Sequence, residues 1–456
     1  MANRSPHIAP PAAIRPQLET GASQFMLIER EVESEFRPRM LEAIQSRVDA
    51  LADSIKGRAP NCQCGRTMSL HDERSVFWIS RFGRVRAQDR RYRCRPCKKE
   101  CHPLLDYLGV EPGRISGSLA RLLALLATVG PYELAARLAW LLLGVKVSAM
   151  GIWRVAQRLG GSAAQYSEDL SAYYADSRSG IKPAETAPDV VVLGLDGCTL
   201  GMQVRKHRRS RKTSAQPLPP LPEIEDGRFR EVKTGVLLSP AERFQPSPGR
   251  CSVVRRVLVT CLGNADDIYD HVWAKLQELG WLGVKTVVVI VGDGADWIWN
   301  RAAMFSSRCE ILDFWHAIEH AWEFARLRYG DGSKQADRWA HQIAKQLRAG
   351  KVEQVIDHLK RLHPTTPELR KKLEDLIRYY SENAQRMHYD EYLRLGYGIG
   401  SGAVESAHKQ VVHARLRQAG MRWSEMGARS LLALRLLLLN DDWQLLDRMR
   451  MASLAA

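Results

Sequence analysis

The chain has 456 residues, of which 45% are hydrophobic and 26% are charged. This composition is ordinary for a globular protein, excludes a fibrous or wholly disordered chain, and is long enough for two or three domains. Basic residues outnumber acidic ones so far that the net charge at pH 7 is +16, which favours a polyanionic partner such as nucleic acid over uncharged ligands.

The compartment follows from two features of the sequence. No apolar run reaches the roughly 18 residues of a membrane span. The N-terminus lacks the charged and then apolar pattern of a signal peptide. We therefore expect an intracellular protein, in which clustered cysteines bind metal instead of forming disulfides.

The first part of the chain predicts a tail, a helix and a cysteine-rich module. Residues 1–20 are rich in Pro and Ala without an apolar period, which is typical of disorder. In residues 21–57 apolar side chains recur at helical spacing, and we expect an amphipathic helix that is broken near Pro38. Residues 58–110 contain five of the nine cysteines and many arginines.

The cysteines of this module have the spacing of a zinc-ribbon-like site. Cys94 and Cys97 form a Cys-x-x-Cys pair, whereas Cys62 and Cys64 form a Cys-x-Cys pair. Four thiolates from two such knuckles would make a closed tetrahedral Zn²⁺ site. Because the first pair is one residue shorter than usual, Cys101-His102 offers a substitute ligand. A reduced, metal-free cluster is the structural alternative.

Two basic segments of this half are predicted to contact DNA. The zinc module carries Arg90, Arg91 and Arg93 beside its second cysteine pair, and a small module this basic is most simply a DNA-contacting one. Residues 111–180 predict helices, with a short Gly-containing turn before a helix that Ser148 would cap. The pattern fits a helix-turn-helix, and two helices packed in a bundle explain it equally well.

From about residue 188 the pattern changes to β-strands that alternate with helices. Three neighbouring strands, a crossover helix and further strands fit a mixed sheet with helices on its faces. From about 316 to 396 the chain is predicted to be helical. The predicted strands are 190–195, 230–238, 253–260, 285–291 and 309–314.

Three acidic residues in this half stand in short, differently built motifs. Asp196 and Asp293 each end an apolar run and precede a glycine, so each is expected at the carboxyl end of a buried strand. Glu405 follows a Gly-rich turn at the start of a basic helix. Carboxylates from separate elements suit a two-metal site for phosphoryl transfer, since Mg²⁺ or Mn²⁺ prefers oxygen ligands. A turn or a helix cap explains any one of these acids alone, so the prediction depends on their combination.

The stretch from about 190 to 440 resembles the catalytic domain of DDE transposases of bacterial insertion sequences. It is most similar to the Kra-type (ISKra) group, which is distantly related to Mutator-like transposases. The resemblance rests on Leu-Asp-Gly at Asp196, Gly-Asp-Gly at Asp293, Gly-Ser-Gly-Ala-Val-Glu-Ser at Glu405, and Gly420-Met421-Arg422-Trp423.

This resemblance implies an α/β RNase H-like catalytic domain over residues 188–456, with an all-helical insertion at about 316–396. It assigns the three acids to two Mg²⁺ ions and implies an enzyme that binds terminal inverted repeats, cleaves DNA and joins its 3′-hydroxyls to target DNA. Reactions at two ends imply a homodimer or larger synaptic assembly, on DNA of the bacterial nucleoid in the cytoplasm. A metal-dependent nuclease without strand transfer and a non-catalytic zinc-containing DNA-binding regulator derived from a transposase are the alternatives.

Further residues are assigned more loosely. Asp313 and His316 match an auxiliary Asp-x-x-His element of Mutator-like enzymes, where the suggested part is DNA contact; a satisfied helix-start pair is the structural alternative. Five tryptophans of the second half (297, 299, 315, 322 and 339) are expected mostly in core packing. The basic residues predicted to hold phosphates, or else to form solvated surface, are Arg205, Lys206, Arg208, Arg209, Arg211, Lys212, Lys409, Arg415 and Arg417.

Overall fold

The computed structural model describes residues 23–110, 115–176, 183–203, 229–240, 243–247, 250–253 and 255–449. These residues form two compact units. The first unit takes the chain up to Leu126 together with Tyr132–Ile152, and the second takes Ala127–Pro131 and the chain from Trp153 onward. The predicted N-terminal tail and the basic loop from Arg205 to Lys212 lie outside the described residues.

The first unit is built on a long helix, α1 (Gln24–Ile55), and an antiparallel hairpin of β1 (Ser69–Ile79) and β2 (Arg84–Arg93). A short strand, β3 (Glu100–Cys101), adds to β2. The second half of α1 packs on the hairpin through Val48, and the core beneath it includes Trp78. The remaining helices that contribute to this unit are α2 (Pro103–Leu108), α3 (Gly117–Val129), α4 (Tyr132–Leu143) and the start of α5 (Ala149–Asp176).

Helix α1 runs without interruption through Pro38, so the predicted break is wrong. A proline inside a helix removes one backbone donor and crowds the preceding turn. Here the neighbouring residues fix the helix at that point. The Arg37 guanidinium donates to the carbonyl oxygens of Arg81 and Leu143, and Leu41 packs against the hairpin core one turn later.

The predicted cap at Ser148 is confirmed, because its hydroxyl accepts a hydrogen bond from the Gly151 N–H at 3.1 Å. The helix that it starts, α5, extends to Asp176 and so lies within the helical region that the sequence predicted over 111–180.

The second unit contains the five-stranded mixed sheet that the sequence predicted. The strands of this unit are β4 (Val190–Gly201), β5 (Phe229–Leu238), β6 (Arg243–Ser247), β7 (Arg250–Val253), β8 (Arg256–Cys261), β9 (Val287–Gly292) and β10 (Arg308–Leu312). The sheet has the order β10-β9-β4-β5-β8, in which β4, β9 and β10 are parallel and β5 runs antiparallel to both β4 and β8. Between β5 and β8 the chain forms a separate hairpin of β6 and β7.

Helices cover both faces of this sheet. One apolar core joins the inward side chains of β4, such as Leu193 and Leu195, to helices between 265 and 394. A second core joins Val232 and Val236 of β5 to the helices after Gly402. The helices between 265 and 394 are α6 (Ala265–Glu278), α7 (Asp296–Asn300), α8 (Phe314–Tyr329), α9 (Lys334–Arg348), α10 (Val352–Lys360), α11 (Pro367–Asn383) and α12 (Tyr389–Arg394).

The last helices carry the third acidic motif. Helix α13 (Gly402–His408) continues into a π-helical turn, Lys409–His413, which is followed by α14 (Ala414–Leu416) and α15 (Glu425–Leu439). Single π turns inside α-helices are rare and occur frequently at functional sites. Within the described residues, no helix combines the length and apolar character that crossing a membrane requires.

Candidate functional site

Asp196 and Asp293 lie side by side where two parallel strands separate. The register of β4 and β9 pairs Val190 with Val287 and continues to Gly194 with Val291. Two residues beyond this last pair, Asp196 lies on β4 and Asp293 directly follows the end of β9. Adjacent strands are about 4.8 Å apart, so the register alone brings these two acids together although they are distant in sequence.

Strand β4 does not end at Asp196, as its apolar pattern predicted, but continues to Gly201. Beyond Gly194 its remaining partner in the sheet is β5, because β9 ends at Gly292. Asp196 is therefore in the middle of its own strand and at the edge of the parallel part of the sheet. The backbone pairing with β5 holds the acid rigidly on one side.

Glu405 reaches the same region from helix α13. The helix packs closely on β4, since a Cβ atom on Gly194 would lie 3.3 Å from the Cβ of Val404. Val404 is fully buried, whereas the next residue, Glu405, is exposed. Glycine at position 194 thus permits the close approach that places Glu405 over the strand of Asp196.

A neighbouring backbone N–H orients one oxygen of each of the two aspartates. Asp196 Oδ1 accepts the N–H of the following residue at 2.7 Å, and Asp293 Oδ1 accepts the Ala295 N–H at 3.0 Å. Glu405 Oε1 lies 3.3 Å from the Ser401 hydroxyl. The second oxygen of Asp293 and that of Glu405 have no hydrogen-bond donor among the described residues, which leaves them for a cation.

The electrostatic field of the site shows that the three acids are coupled. Burial, with a smaller contribution from the negative charges of Asp293 and Glu405, raises the pKa of Asp196 to about 6. The N–H bond from the following residue opposes that rise. Close carboxylates without a compensating cation are costly to ionise, and a bound divalent ion would remove this cost.

The residues present fit a hard divalent cation, since the donors are carboxylate oxygens on three separate elements. The acids are more widely spaced than the ligands of a closed site. In the part of the chain that the structure describes, only a cysteine cluster brings three or more metal-ligating side chains within 4.8 Å of one another. Asp196, Asp293 and Glu405 would be the ligands of magnesium or manganese at the sheet edge.

Asp313 continues the row of acids at the end of the third parallel strand, but its role is structural. Its N–H donates to the Gly292 carbonyl at 2.7 Å, and its side chain is 2% exposed. One carboxylate oxygen caps helix α8 by accepting the Trp315 N–H at 2.7 Å. The other accepts the N–H of Ser401 at 3.1 Å and also its hydroxyl. Asp313 therefore fixes the loop that leads to Glu405, and its burial does not fit the predicted DNA contact.

The basic residues after Glu405 separate into two groups. Lys409 and Arg417 are exposed and suit the predicted contact with phosphates. Arg415 is only 1% exposed, and its Nε donates to the Ala127 carbonyl at 2.8 Å while its guanidinium packs over Trp423. Its position does not fit the predicted phosphate contact, because helix periodicity turns this side chain into the core.

His408, one turn after Glu405, is a site residue that the sequence did not single out. Its side chain is buried, and Nε2 lies 3.4 Å from Asp196 Oδ2. Apart from this contact with Asp196, neither ring nitrogen has a hydrogen-bond partner among the described residues. Burial lowers the pKa of His408, so a neutral ring faces the Asp196 carboxylate. A histidine three residues after the acid, on the same helix face, is the sequence signal that could have revealed it.

Replacing His408 by alanine should weaken Mg²⁺ binding about 10-fold or more, since partners that orient metal-ligating side chains typically contribute this much. His408→Gln keeps a nitrogen donor and should lose less. The measurement is a calorimetric Mg²⁺ titration, with His413→Ala as control because that histidine is exposed on the following turn. Wild-type affinity in His408→Ala would show that the histidine only fills space.

In magnesium-free buffer Asp196→Asn should stabilise the protein at pH 7. The folded pKa of about 6 lies above the ordinary value, so the stability associated with this group is complete below about pH 4 and is lost as the pH rises through 6. The variant should gain about 1–3 kcal/mol in the free energy of unfolding at pH 7 and almost nothing at pH 4. Denaturant unfolding at both pH values measures this, with the 90% exposed Asp331→Asn as control. An equal gain at both pH values would contradict the pKa argument.

The cysteine cluster lies in the first unit, where the sulfur atoms of Cys62, Cys64, Cys94 and Cys97 all approach within 4.8 Å of one another. The Sγ atoms of Cys64 and Cys94 are 3.7 Å apart. Zn–S bonds of about 2.3 Å in a tetrahedron place sulfur atoms about 3.8 Å apart, so this spacing fits zinc.

Each knuckle folds the chain around its cysteine pair in the same way. The Gly65 N–H donates to the Cys62 carbonyl at 2.8 Å, and the Lys98 N–H donates to the Cys94 carbonyl at 2.9 Å. Both Gly65 and Lys98 have positive φ angles, of 81° and 59°. Because both second cysteines precede a left-handed residue, the shorter Cys-x-Cys spacing still presents two sulfurs to one centre. Hydrogen bonds from the Arg66 backbone and from the neighbouring cysteines lower the pKa of Cys64 to about 7, whereas the crowded sulfurs raise the pKa of Cys97 to about 12. A bound cation would hold all four sulfurs as thiolates.

The two substitute ligands are engaged elsewhere. Cys101 Sγ lies 3.6 Å from the sulfur of Met68, and His102 Nδ1 lies 2.8 Å from Asp89 Oδ2. Asp89 is fully buried, so the His102 contact offsets part of the cost of its charge. The structure therefore favours Cys62 and Cys64 together as ligands, with neither replaced by Cys101 or His102.

The arginines predicted to contact DNA from the zinc module are held in ion pairs across the hairpin. Arg90 pairs with Glu73 at 3.1 Å, Arg91 pairs with Asp72, and Arg93 lies 3.7 Å from Glu100. Asp72 and Glu73 precede the basic stretch in sequence, and strand pairing brings them opposite it. The module consequently presents less unpaired positive charge than its sequence indicates.

The family models contain none that matches the chain, and the curated proteins contain no significant match. Function is therefore inferred from the side-chain geometry described above.

Proposed function

We propose that this protein is a DDE-type DNA transposase of a bacterial insertion sequence. It would bind the terminal inverted repeats of its element, cleave the DNA strands and join the 3′-hydroxyl ends to target DNA. This is the reaction that the resemblance to Kra-type transposases implies. The observation that carries the proposal is the meeting of Asp196, Asp293 and Glu405 from three separate elements at one edge of the sheet.

The fold is consistent with this proposal. Numbered along the sheet by position in the chain, the five strands follow the order 3-2-1-4-5 with the second strand antiparallel. We take this arrangement as RNase H-like, and we take the helices between Phe314 and Arg394 as the insertion that separates the second and third acids.

Divalent metal ions bound by the three acids would activate the attacking oxygen and stabilise the leaving oxygen of the phosphodiester. The chain supplies the geometry for this chemistry. The β4–β9 register sets the separation of Asp196 and Asp293. The hydrogen bonds that Ser401 donates to Asp313 fix the turn that carries Glu405. Exposed Lys409 and Arg417 would hold the DNA backbone beside the acids.

The first unit would recognise the ends of the element. Small zinc-binding modules commonly present a basic surface to DNA. The net charge of +16 of the whole chain also supports a DNA partner. Two ends must be processed together, so a homodimer or a larger synaptic assembly would be the active form. The basic residues from Arg205 to Lys212, which lie outside the described residues, would add phosphate contacts.

A strand-joining assay tests the proposed function. The substrate is a short duplex that ends with the inverted repeat flanking the coding sequence, together with supercoiled plasmid and Mg²⁺. A transposase should insert the duplex end into the plasmid, and Asp296→Asn, an exposed acid near the site, should not affect the reaction. Cleavage without joining would indicate a nuclease, and binding without cleavage would indicate a DNA-binding regulator; either result would contradict the proposal.

A further inference from the structure

Trp315 is an exposed aromatic residue that lies against the turn leading to Glu405. Its side chain is 63% exposed, whereas Trp299 is 9% exposed and Trp297, Trp322 and Trp339 are partly buried against the core. Core packing was the expectation for most of these tryptophans, and Trp315 departs from it. Single exposed apolar side chains are ordinary on protein surfaces, so the argument depends on how this ring is held and on what lies next to it.

The indole is held in place from below and from the side. A Cβ atom on Gly400 would lie 2.8 Å from its Cδ1 and 3.0 Å from its Nε1, so the pyrrole edge of the ring rests on the backbone of a glycine. The Phe314 ring meets it edge-on at 5.3 Å. Any larger residue at position 400 would displace the indole, which shows that this stretch is shaped around the tryptophan.

Hydrogen bonds connect the backbone of Trp315 to the turn that carries Glu405. The Trp315 N–H donates to one carboxylate oxygen of Asp313. The other oxygen of Asp313 accepts the N–H of Ser401, which lies four residues before Glu405. The indole is therefore on a rigid helix start, against the glycine turn that carries Glu405.

We propose that Trp315 is a stacking platform for an unpaired DNA base next to the phosphodiester that is attacked. This inference rests on the proposed function, because it requires DNA at the three acids. Stacking on an aromatic ring is available to every base, so the platform would act on any sequence. It would hold open a strand that must leave the duplex to enter the site, and it would favour unpaired over paired DNA.

The test compares two short DNA duplexes of one sequence, one fully paired and one with a 2-aminopurine opposite an abasic site, with Ca²⁺ in place of Mg²⁺. Wild-type protein should bind the unpaired duplex more tightly and quench its 2-aminopurine emission. Trp315→Ala should lose roughly 5- to 100-fold of affinity for the unpaired duplex and little for the paired one. Trp315→Phe should keep most of the preference. Leu327→Ala, which removes an exposed apolar side chain from the same helix, is the matched control.

The outcomes separate this inference from the proposed function. A Trp315→Ala variant that keeps the wild-type preference, or that loses affinity for both duplexes equally, would overturn the stacking platform. Wild-type protein that binds both duplexes equally would also overturn the stacking platform, but it would leave the transposase proposal unaffected. Wild-type protein that binds neither would contradict both. Unchanged melting temperatures of the two Trp315 variants exclude misfolding as the cause of a loss.

Discussion

Replacing Asp196, Asp293 or Glu405 by its amide should abolish DNA cleavage and joining while DNA binding persists. Each amide keeps the shape of the side chain and removes the charge that would hold a cation, and loss of metal catalysis costs several kcal/mol, so rates should fall at least ~100-fold. The strand-joining assay described above measures this, together with binding of the same duplex by gel shift.

Asp296→Asn and Asp313→Asn are informative beside these variants. Asp296 is an exposed acid three residues after Asp293, so its amide should leave the rate unchanged. Asp313→Asn should lower the rate by disturbing the loop that carries Glu405, with a smaller effect than loss of a ligand. Wild-type joining by any one of the three triad variants would remove that residue from the proposed site.

The double variant Cys94→Ser/Cys97→Ser should lose bound zinc and unfold the hairpin module. Structural zinc sites contribute folding free energy directly, because binding is coupled to the formation of the site. Wild-type protein should contain one zinc ion per chain by elemental analysis. Hydrogen exchange should increase in the first unit around Cys62–Cys101 and remain unchanged in the five-stranded sheet.

Cys101→Ser is the control that tests the ligand set. Cys101 Sγ contacts Met68 and lies outside the four-sulfur cluster, so this variant should keep its zinc. Loss of zinc from Cys101→Ser, or protein purified without chelators that contains no zinc, would be incompatible with the four ligands described here.

Much of the second unit was predictable from local patterns. Strands buried on both faces are continuous apolar runs, and the five predicted strands are all present, with boundaries shifted by a few residues. The Cys94–Cys97 spacing likewise indicated a metal-binding knuckle, and the structure assigns both members of the shorter Cys62–Cys64 pair to the same cluster. These features depend on residues close together in sequence, where spacing determines which side chains share a face or a turn.

The tertiary structure decided what depends on partners distant in sequence. Pairing with β5 places Asp196 in the middle of a strand, although the apolar run stops there, and the β4–β9 register brings it to the sheet edge where Asp293 follows β9. Helix packing turns Arg415 into the core and His408 toward Asp196, while Trp315 remains exposed.

Contacts between distant segments also decided how much positive charge the hairpin exposes and whether helix α1 continues through Pro38. Strand pairing neutralises part of the charge of Arg90 and Arg91, and packing on the hairpin carries α1 through Pro38. The sequence by itself determined the strands, the knuckles and the three acidic motifs, because local spacing fixes these. Only the folded chain decided which charges remain free and which side chains meet, because burial and cross-strand contacts arise when distant segments pack together.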